Sequence, residues 1–486
     1  MKSVILLFLL TSFLLAQGIY KKTYQISDDP ENVFNGYLYG NGIVDLVAND
    51  STIIAATGYG LSISHDFGNY WRAYSSKQYI SKGGVAAMAF TNDSTFWIST
   101  AFDTAAQGED LPAGGGLSYT RNGGNTWTNI PQPVDPVDLT EYSPTTTPIY
   151  NVTYDIAALD SVVWITSWAG GLRKSADMGN TWTVRTIDGQ PFRAANDNVI
   201  HLAFSVITEN GNLWVGTAGG IGKSADGGET WQVFTHENQE NPISGNFVVA
   251  LAHQEFNNTI WAATIESDPT SEVRAVSKTS NGGLSWDVML PGIFAHNFAF
   301  DGPRIYVAAD EGLFISEDDG YSWYVAPPVR DTSTGEEILL DEYYSVAVQK
   351  SDSVTRLWLG SADGIAVTAD NGNTWKVVRS FVSTKTRKDP EVYAYPSPFS
   401  PARNGYIRFQ YDITETIDVE IKVYNFAMEE VVTIRDNQSY ISTNDSDRST
   451  KWDGRDNDGE IVASGVYFFR AKIGGKVSWG KLVVIN

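Results

Sequence analysis

The sequence predicts an all-β protein in which a seven-bladed β-propeller is followed by a C-terminal β-sandwich. Two repeated patterns predict the propeller: a Ser/Thr-x-Asp/Asn-x-Gly-x-x-Trp turn that occurs seven times, and a Trp-bearing strand found upstream of most of these turns. After residue 390 the repeats stop, and strands of alternating apolar and polar residues predict the sandwich. The length of 486 residues is also too great for one ordinary core, which favours repeats or several domains.

The seven turns recur at a propeller-blade period. Their closing Trp residues lie 56, 55, 49, 55, 37 and 52 positions apart, a mean of roughly 51. The Asp/Asn position is filled by Asp66, Asn122, Asp177, Asp226, Asn281, Asp318 and Asp370. The closing position is filled by Trp71, Trp127, Trp182, Trp231, Trp286, Trp323 and Trp375.

The residue types in this pattern suit a tight hairpin between two strands. An Asp or Asn oxygen can accept hydrogen bonds from the main-chain N–H groups of the turn, and Gly tolerates a positive φ. The Trp then returns the chain to the hydrophobic layer. A calcium loop is the alternative, but each turn offers one carboxylate where calcium needs several ligands, so the spacing favours a structural turn.

A second repeated element completes a four-stranded unit. Trp97, Trp164, Trp214, Trp261 and Trp358 stand in strand patterns such as Leu-Trp-Val-Gly-Thr, one strand before the turn. Each unit therefore contains an inner strand, a second strand that usually carries Trp, a third strand leading into the turn and an outer strand. Seven such antiparallel units predict seven blades.

The turn pattern resembles the Asp-box, or BNR, repeat of sialidases, sortilin-type receptors, xyloglucanases and photosystem assembly factors. The seven copies cover most of residues 42–380. In those families the Asp-box lies on the face away from the ligand. The resemblance therefore implies a propeller architecture without implying an activity.

Aligning the inner strands on their first apolar residue identifies one position that should face the central channel. In chain order it is occupied by Asp45, Ala87, Asp155, His201, Ala250, Asn297 and Ser345. Asp45, Asp155, His201 and Asn297 are the members able to grip a ligand, and we treat them as candidate binding residues. The alternative is that they only satisfy strand ends and ordered water.

Insertions favour the same rim as a binding surface. Blade 2 inserts residues 102–116 and blade 5 residues 265–274 between their second and third strands, and long segments precede several inner strands. Trp168 is an extra residue in blade 3 relative to blade 4, so its indole is a candidate for stacking on a sugar ring or anchoring a protein. The alternative is that it folds against a neighbouring loop.

The sequence favours a binding protein over an enzyme. The Arg-Ile-Pro start of sialidases is missing, the five His show no metal spacing, and no phosphate loop or Ser-centred elbow occurs, so we assign no catalytic residue, metal or cofactor. The alternative is a sialidase- or xyloglucanase-like glycoside hydrolase with two opposed channel carboxylates, for which Asp45 and Asp155 are available.

The charge balance argues against a nucleic-acid partner. The chain has 34 basic and 57 acidic residues, of which 14 and 15 lie in 384–486, so residues 1–383 hold 20 basic and 42 acidic residues. Such a surface repels phosphate.

The amino terminus predicts export. Met1 and Lys2 precede an apolar run from Val4 to Leu15, which suits a secretory signal over 1–18 and is too short to span a bilayer. No later segment reaches eighteen apolar residues, so we expect no transmembrane segment in the mature chain. The predicted domains are then the propeller over 19–383, a linker over 384–390 and the C-terminal module over 391–486.

The C-terminal module resembles the FlgD-type immunoglobulin-like domain. The residues that carry the resemblance include Tyr395-Pro396-Ser397-Pro398-Phe399, Trp452-Asp453-Gly454 and Gly480-Lys481-Leu482-Val483-Val484. In exported bacterial proteins this domain serves as the sorting domain of type IX secretion, so the resemblance implies the type IX machinery as a partner and attachment to the cell surface. Met428 stands where Gly is common, and Asn486 where a basic residue often ends the chain. We therefore expect a secreted or surface-displayed protein whose propeller rim binds a glycan or a protein.

Overall fold

The computed structural model describes residues 38–485, apart from 93, 107, 194–197, 332–335, 339, 352–353, 381–391, 396, 414 and 439–446. The chain divides into two compact units, Met1–Ser380 and Phe381–Asn486. The predicted signal over 1–18 and linker over 384–390 lie outside the described residues. In the part of the chain that the structure describes, we find no helix with the length and apolar character that a membrane span requires.

The described part of the first unit contains seven four-stranded antiparallel sheets, which we call blades 1 to 7 in chain order. Blades 1 and 2 comprise β1 (Ile43–Asn49), β2 (Thr52–Thr57), β3 (Gly60–Ser64), β4 (Arg72–Ser75), β5 (Gly84–Phe90), β6 (Phe96–Ala106), β7 (Glu109–Thr120) and β8 (Thr128–Ile130). Blades 3 and 4 comprise β9 (Thr153–Leu159), β10 (Val162–Ser167), β11 (Gly171–Ser175), β12 (Thr183–Arg185), β13 (Ala203–Glu209), β14 (Asn212–Thr217), β15 (Gly220–Ser224) and β16 (Gln232–Phe234).

The remaining blades have the same strand order. Blades 5 and 6 comprise β17 (Phe247–Gln254), β18 (Thr259–Ile265), β19 (Ala275–Thr279), β20 (Asp287–Met289), β21 (Ala295–Asp301), β22 (Arg304–Ala309), β23 (Gly312–Ser316) and β24 (Tyr324–Val325). A two-stranded sheet of β25 (Arg330–Asp331) and β26 (Glu336–Glu337) precedes blade 7, which comprises β27 (Tyr343–Ser351), β28 (Val354–Ser361), β29 (Gly364–Thr368) and β30 (Lys376–Val378). The predicted all-β propeller architecture is confirmed.

The first strand of each blade packs against the first strand of the next, which places these inner strands around a central channel. The ring closes where β1 packs against β27 and β28. Across this closure, Gln349 Nε2 donates to the Thr52 carbonyl at 3.2 Å and the Gly364 N–H donates to the Asn41 carbonyl at 2.8 Å. Each blade is made from one continuous stretch of chain, so packing and hydrogen bonds between neighbours hold the first and last blades together.

The repeated turn has one geometry, illustrated by the first copy. The Ser64 hydroxyl lies 2.7 Å from Asp66 Oδ1 and accepts the Gly68 N–H at 2.9 Å. Asp66 Oδ1 also accepts the Tyr70 N–H at 2.8 Å, and Trp71 Nε1 donates to the Gly68 carbonyl at 3.1 Å. Side chains thereby satisfy the main-chain groups of the turn, as hairpins of this kind require.

The glycine of the turn also makes room for the preceding blade. A Cβ atom at Gly228 would lie 2.4 Å from the Trp164 ring, and one at Gly68 would lie 2.4 Å from the Trp358 ring. Gly228 has φ of 87°, which side chains disfavour, so two separate constraints select glycine. The second-strand Trp residues are thus buried between blades, whereas several closing Trp residues, including Trp127 and Trp182, remain half-buried at the outer edge.

Lysines at the end of three third strands link consecutive blades. Lys174 Nζ donates to the Gly227 carbonyl of blade 4 at 2.7 Å while lying 4.9 Å from the Trp164 ring centroid. Lys223 and Lys278 make the same pair of contacts toward blades 5 and 6. These half-buried ammonium groups combine a charge-assisted hydrogen bond with a cation–π contact.

We expect Lys174→Met to lower the free energy of unfolding by about 1 kcal/mol, because the apolar stem is kept while both ammonium contacts are lost. Lys376→Met, at an exposed position on an outer strand, is the matched control and should change stability by less than about 0.5 kcal/mol. Thermal unfolding followed by Trp fluorescence measures both. Equal effects of the two substitutions would contradict the proposed link.

The second unit contains two sheets over one shared core. The first sheet orders β31 (Tyr393–Tyr395), β32 (Ile407–Asp412) and β35 (Asp447–Trp452), and the second orders β34 (Glu430–Gln438), β33 (Ile417–Tyr424), β36 (Gly465–Ile473) and β37 (Lys476–Val484). A short helix, α1, spans Pro401–Asn404. Phe409 from the first sheet and Phe469 from the second meet at 4.9 Å between ring centroids, which makes this unit a two-layer β structure.

Candidate functional site

Every inner strand carries a β-bulge at the same position, near its first residue. In β21, for example, Ala295 pairs with Ala309 and Asn297 with Ala308, so His296 is the extra residue. The seven extra residues are Val44, Ala86, Tyr154, Phe204, Val249, His296 and Tyr344. A bulge bends a strand and re-aims its side chains, so this ring of residues is a built feature of the channel.

The bulged residues line a central cavity of about 1020 Å³ to which all seven inner strands contribute. They lie at the end of the channel opposite the Asp-box turns, because each inner strand begins at one end of its blade and runs toward the hairpin next to the turn. We call these two ends the loop face and the box face. The aromatic residues of the loop-face ring, Tyr154, Phe204, His296 and Tyr344, belong to blades 3, 4, 6 and 7, and we call them the aromatic side of the ring. Blade 5 interrupts them with Val249, and blades 1 and 2 present Val44 and Ala86.

His296 and Tyr344 form the polar part of this aromatic side. Their ring centroids lie 5.4 Å apart. His296 Nε2 lies 2.6 Å from Asp310 Oδ1, and the Tyr344 hydroxyl donates to Glu342 Oε2 at 2.9 Å. Burial, and then the Glu342 carboxylate, raise the pKa of Tyr344, so its hydroxyl stays protonated. Both rings are half-buried and lie at the cavity wall, where a ligand can reach them.

At the channel position predicted from the alignment, the carboxyl groups of Asp45 and Asp155 have raised pKa values. Burial raises the pKa of Asp45 and of Asp155 to about 7, and the charge of Asp45 adds to the shift of Asp155. Hydrogen bonds from the N–H groups of Leu46 to Asp45 and of Ile156 to Asp155, both 2.8 Å, act in the opposite direction. Both side chains line the cavity between surrounding strands.

Asp155 and Asn297 also join neighbouring blades. The Val206 N–H of blade 4 donates to Asp155 Oδ2 at 2.8 Å, and the Val346 N–H of blade 7 donates to Asn297 Oδ1 at 3.3 Å. Among the described residues, Asp45 receives no such bond from blade 2. Asp155 and Asn297 therefore have a structural use in the ring, and Asp45 retains more capacity to meet a ligand.

The predicted channel position of His201 is wrong. Ser205 pairs with Gly216 at the place where the other blades have Asp45 or Asp155, so Ser205 is the equivalent residue. His201 instead ends a short 3₁₀ turn, Val199–His201, and is 3% exposed. Its Nδ1 accepts the Arg193 N–H at 3.0 Å, which leaves Nε2 to face Asp188 Oδ1 at 2.9 Å. The apolar run after residue 198 begins with this turn, and the strand starts only at Ala203.

Trp168 lies on the loop face but packs against its neighbours. Its ring centroid is 5.3 Å from that of Tyr150, and the half-buried indole contacts the apolar cluster that contains Leu202 and Phe204. Phe204 in turn lies 4.7 Å from Phe247. The structure thus places Trp168 at the outer end of the aromatic side of the ring.

The alignment missed Tyr154, His296 and Tyr344 by one position, and it missed Phe204 by three because it placed His201 at the channel position of blade 4. It assumed regular alternation from the first apolar residue, and a bulge adds a residue that breaks this alternation. The available signal was the aromatic residue that directly precedes the aligned position in blades 3, 6 and 7.

Pairing orders the blade 2 insertion and the segment before blade 3 on the loop face. The blade 2 insertion continues the β6–β7 hairpin, in which Phe102 pairs with Ala113. The segment before blade 3 then pairs with the hairpin edge, since the Tyr150 N–H donates to the Pro112 carbonyl at 2.7 Å. These contacts hold the blade 2 insertion and the segment before blade 3 in a defined position beside the channel mouth.

Comparisons with known proteins give structural likenesses and no family. No protein-family model matches the chain, and no curated protein matches it. Among solved structures, an ancestral GH74 enzyme has a TM-score of 0.53 at 12% identity; the match covers 93% of this chain and 63% of that enzyme. YCF48 bound to a D1 peptide has a TM-score of 0.44 at 14% identity, with coverage of 71% and 98%. PorZ, a type IX secretion surface component of Porphyromonas gingivalis, has a TM-score of 0.34 at 14% identity, with coverage of 91% and 70%. The chain is similar in fold to β-propeller proteins.

Proposed function

We propose that this protein is a secreted or surface-displayed binding protein, without catalytic activity, that captures a glycan or protein ligand at the loop face of its propeller. The observation that carries the proposal is the ring of seven bulged residues around the channel mouth, with aromatic side chains on one side. A rigid scaffold that presents aromatic rings beside polar groups is the usual composition of a ligand site.

Display outside the cell rests on the two ends of the sequence. The amino-terminal signal pattern directs the chain across the inner membrane. The C-terminal unit has a two-layer β structure, which is compatible with the sorting domain that its motifs resemble. In this proposal the C-terminal unit directs type IX secretion and surface attachment, while the propeller meets the ligand.

Binding of the full chain to glycan and peptide arrays tests the proposal. Tyr344→Ala should weaken capture of the ligands that the native chain binds by at least about fivefold, because it removes a ring and a hydroxyl from the channel mouth. The matched control is Tyr321→Ala, since Tyr321 is 86% exposed on the box face, and this variant should bind as the native chain does. Array signals that Tyr344→Ala leaves unchanged would refute a site at the channel mouth.

A glycoside hydrolase is the second candidate, favoured by the raised pKa values of Asp45 and Asp155. A carboxyl group with pKa of about 7 suits a general acid. Against this role, both Asp155 oxygens already accept main-chain N–H groups. Release of reducing sugar from plant or algal polysaccharide that is abolished by Asp45→Asn would establish the hydrolase and overturn the non-catalytic proposal.

A further inference from the structure

The propeller carries a strong negative field. Residues 1–383 contain 20 basic and 42 acidic residues. A field of this sign raises the rate at which positively charged partners arrive and lowers it for anionic ones. Long-range electrostatics therefore favour basic ligands before any contact forms.

The residues that line the cavity also favour positively charged ligands, now at short range. Asp45, Asp155 and Glu255 line the cavity, and among its described lining residues the single lysine or arginine is Lys350. Lys350 lies toward the box-face end and pairs with Asp301 at 2.7 Å, so its charge is compensated. Glu255 follows the end of β17 and lies at the same end as Lys350, so the loop-face half of the channel has the carboxyl groups of Asp45 and Asp155 and no opposing fixed cation among the described lining residues.

The aromatic side of the ring suits the same ligand charge. The faces of aromatic rings attract ammonium and guanidinium groups, most strongly where water is reduced. Tyr154, Phe204 and Tyr344 supply rings at the cavity wall. The carboxylates of Asp310 and Glu342 contact His296 and Tyr344 and add negative potential near the mouth.

We infer that the channel mouth binds a basic peptide segment, with a lysine or arginine side chain directed into the channel between the aromatic side of the ring and Asp45. The inference rests on the proposed function, since it names the ligand class of the same site. An anionic glycan, which would meet these carboxyl groups without a compensating cation, does not fit. A cationic amino sugar shares the charge but not the peptide backbone, and the test below separates the two.

Fluorescence anisotropy of the full chain with fluorescein-labelled hexalysine at low salt and pH 8, where the Asp45 carboxyl is ionised, tests the inference. We expect hexalysine to bind at least about tenfold more tightly than hexa-(Nε-acetyl-lysine), which has the same backbone and no side-chain charge. Asp45→Asn should weaken hexalysine binding roughly five- to tenfold and Tyr344→Ala roughly fivefold. Asp287→Asn, which removes one exposed charge from an outer strand, is the matched control and should change binding less than about twofold.

Three results would overturn the inference. Equal affinity for the charged and acetylated peptides would show that the site does not recognise the side-chain cation. Equal losses of affinity in Asp45→Asn and Asp287→Asn would show that the peptide binds through the overall surface charge and not at the channel mouth. Tighter binding of a glucosamine hexamer than of hexalysine would assign the site to a glycan. None of these results contradicts the proposed function as long as Tyr344→Ala still weakens binding to the array ligands. Array binding that Tyr344→Ala leaves unchanged would refute the proposed function itself.

Discussion

Replacing Arg173 with Met is expected to lower the free energy of unfolding by about 3–5 kcal/mol and to release the segment 136–148 on the loop face. Arg173 is 2% exposed and Asp135 7% exposed, and two hydrogen bonds of 2.8 Å join the guanidinium to the carboxylate. The Asp135 carboxylate also accepts the Tyr142 hydroxyl at 2.9 Å and the Thr145 N–H at 2.8 Å. When the guanidinium is removed, the buried Asp135 carboxylate that anchors this segment is left without an opposite charge.

The titration of Asp135 agrees with this role. Burial alone would raise its pKa, but the hydrogen bonds and charge of Arg173, together with the hydrogen bonds from Thr145 and Tyr142, outweigh burial and hold the pKa below the ordinary value. A carboxyl group with a lowered folded pKa stabilises the fold above its unfolded pKa, and that contribution is lost as the pH falls through the folded value. The contribution of the pair should therefore be complete at neutral pH and disappear in acid below about pH 4.

Chemical unfolding at pH 7 and limited proteolysis of 136–148 measure the Arg173→Met effect. The matched control is Arg185→Met in the same blade, because Arg185 forms a partly exposed pair with Glu229 at 3.2 Å and should contribute less than about 1 kcal/mol. The double variant Asp135→Leu with Arg173→Met should recover part of the loss, since no buried charge remains. Similar losses for Arg173→Met and Arg185→Met would contradict an anchoring pair.

The propeller was predictable because its signals are local and repeated. The spacing from Trp71 to Trp375, together with the second-strand Trp residues, specifies the blades without any long-range contact. Five of the seven third strands also begin at a glycine; β7 and β19, in the blades with the two insertions, do not. Repetition supplied seven copies of the same weak pattern.

The site was less predictable because its determinants are non-local or break the repeat. The bulge in β21 places His296 in the ring by breaking the regular alternation of the strand, which an alignment on apolar residues does not reveal. The short turn ending at His201 displaces the start of β13, so an alignment on apolar residues chooses the wrong position. The bond between Arg173 and Asp135 joins residues 38 positions apart through a loop, and no local pattern indicates such a contact.

Asp45→Asn is expected to raise the free energy of unfolding by about 1–3 kcal/mol at pH 8 and to leave it nearly unchanged at pH 4. Burial raises the pKa of Asp45 to about 7 in the folded state, against an ordinary value of 3.8. Well below pH 4 the carboxyl is protonated in both states, and at pH 4 the unfolded carboxyl has only begun to ionise. Between pH 4 and 7 the unfolded carboxyl ionises while the folded one resists, so the native protein loses stability progressively, and above pH 7 the loss is complete. An uncharged amide avoids this loss and can still accept the Leu46 N–H through Oδ1.

The matched control for this prediction is Asp155→Asn. Both Asp155 oxygens accept main-chain N–H groups, so an amide would turn an N–H toward another N–H, and we expect a loss of stability at pH 4 and a smaller gain than that of Asp45→Asn at pH 8. Thermal unfolding of both variants at pH 4 and pH 8 separates the cases, and an equal gain for Asp45→Asn at the two pH values would show that its carboxyl is not desolvated. If Asp45→Asn gains stability at pH 8 and also loses hexalysine affinity, one substitution changes stability and binding in opposite directions. That combination is expected of a carboxyl group placed for a ligand, because a purely structural residue would lose stability on substitution.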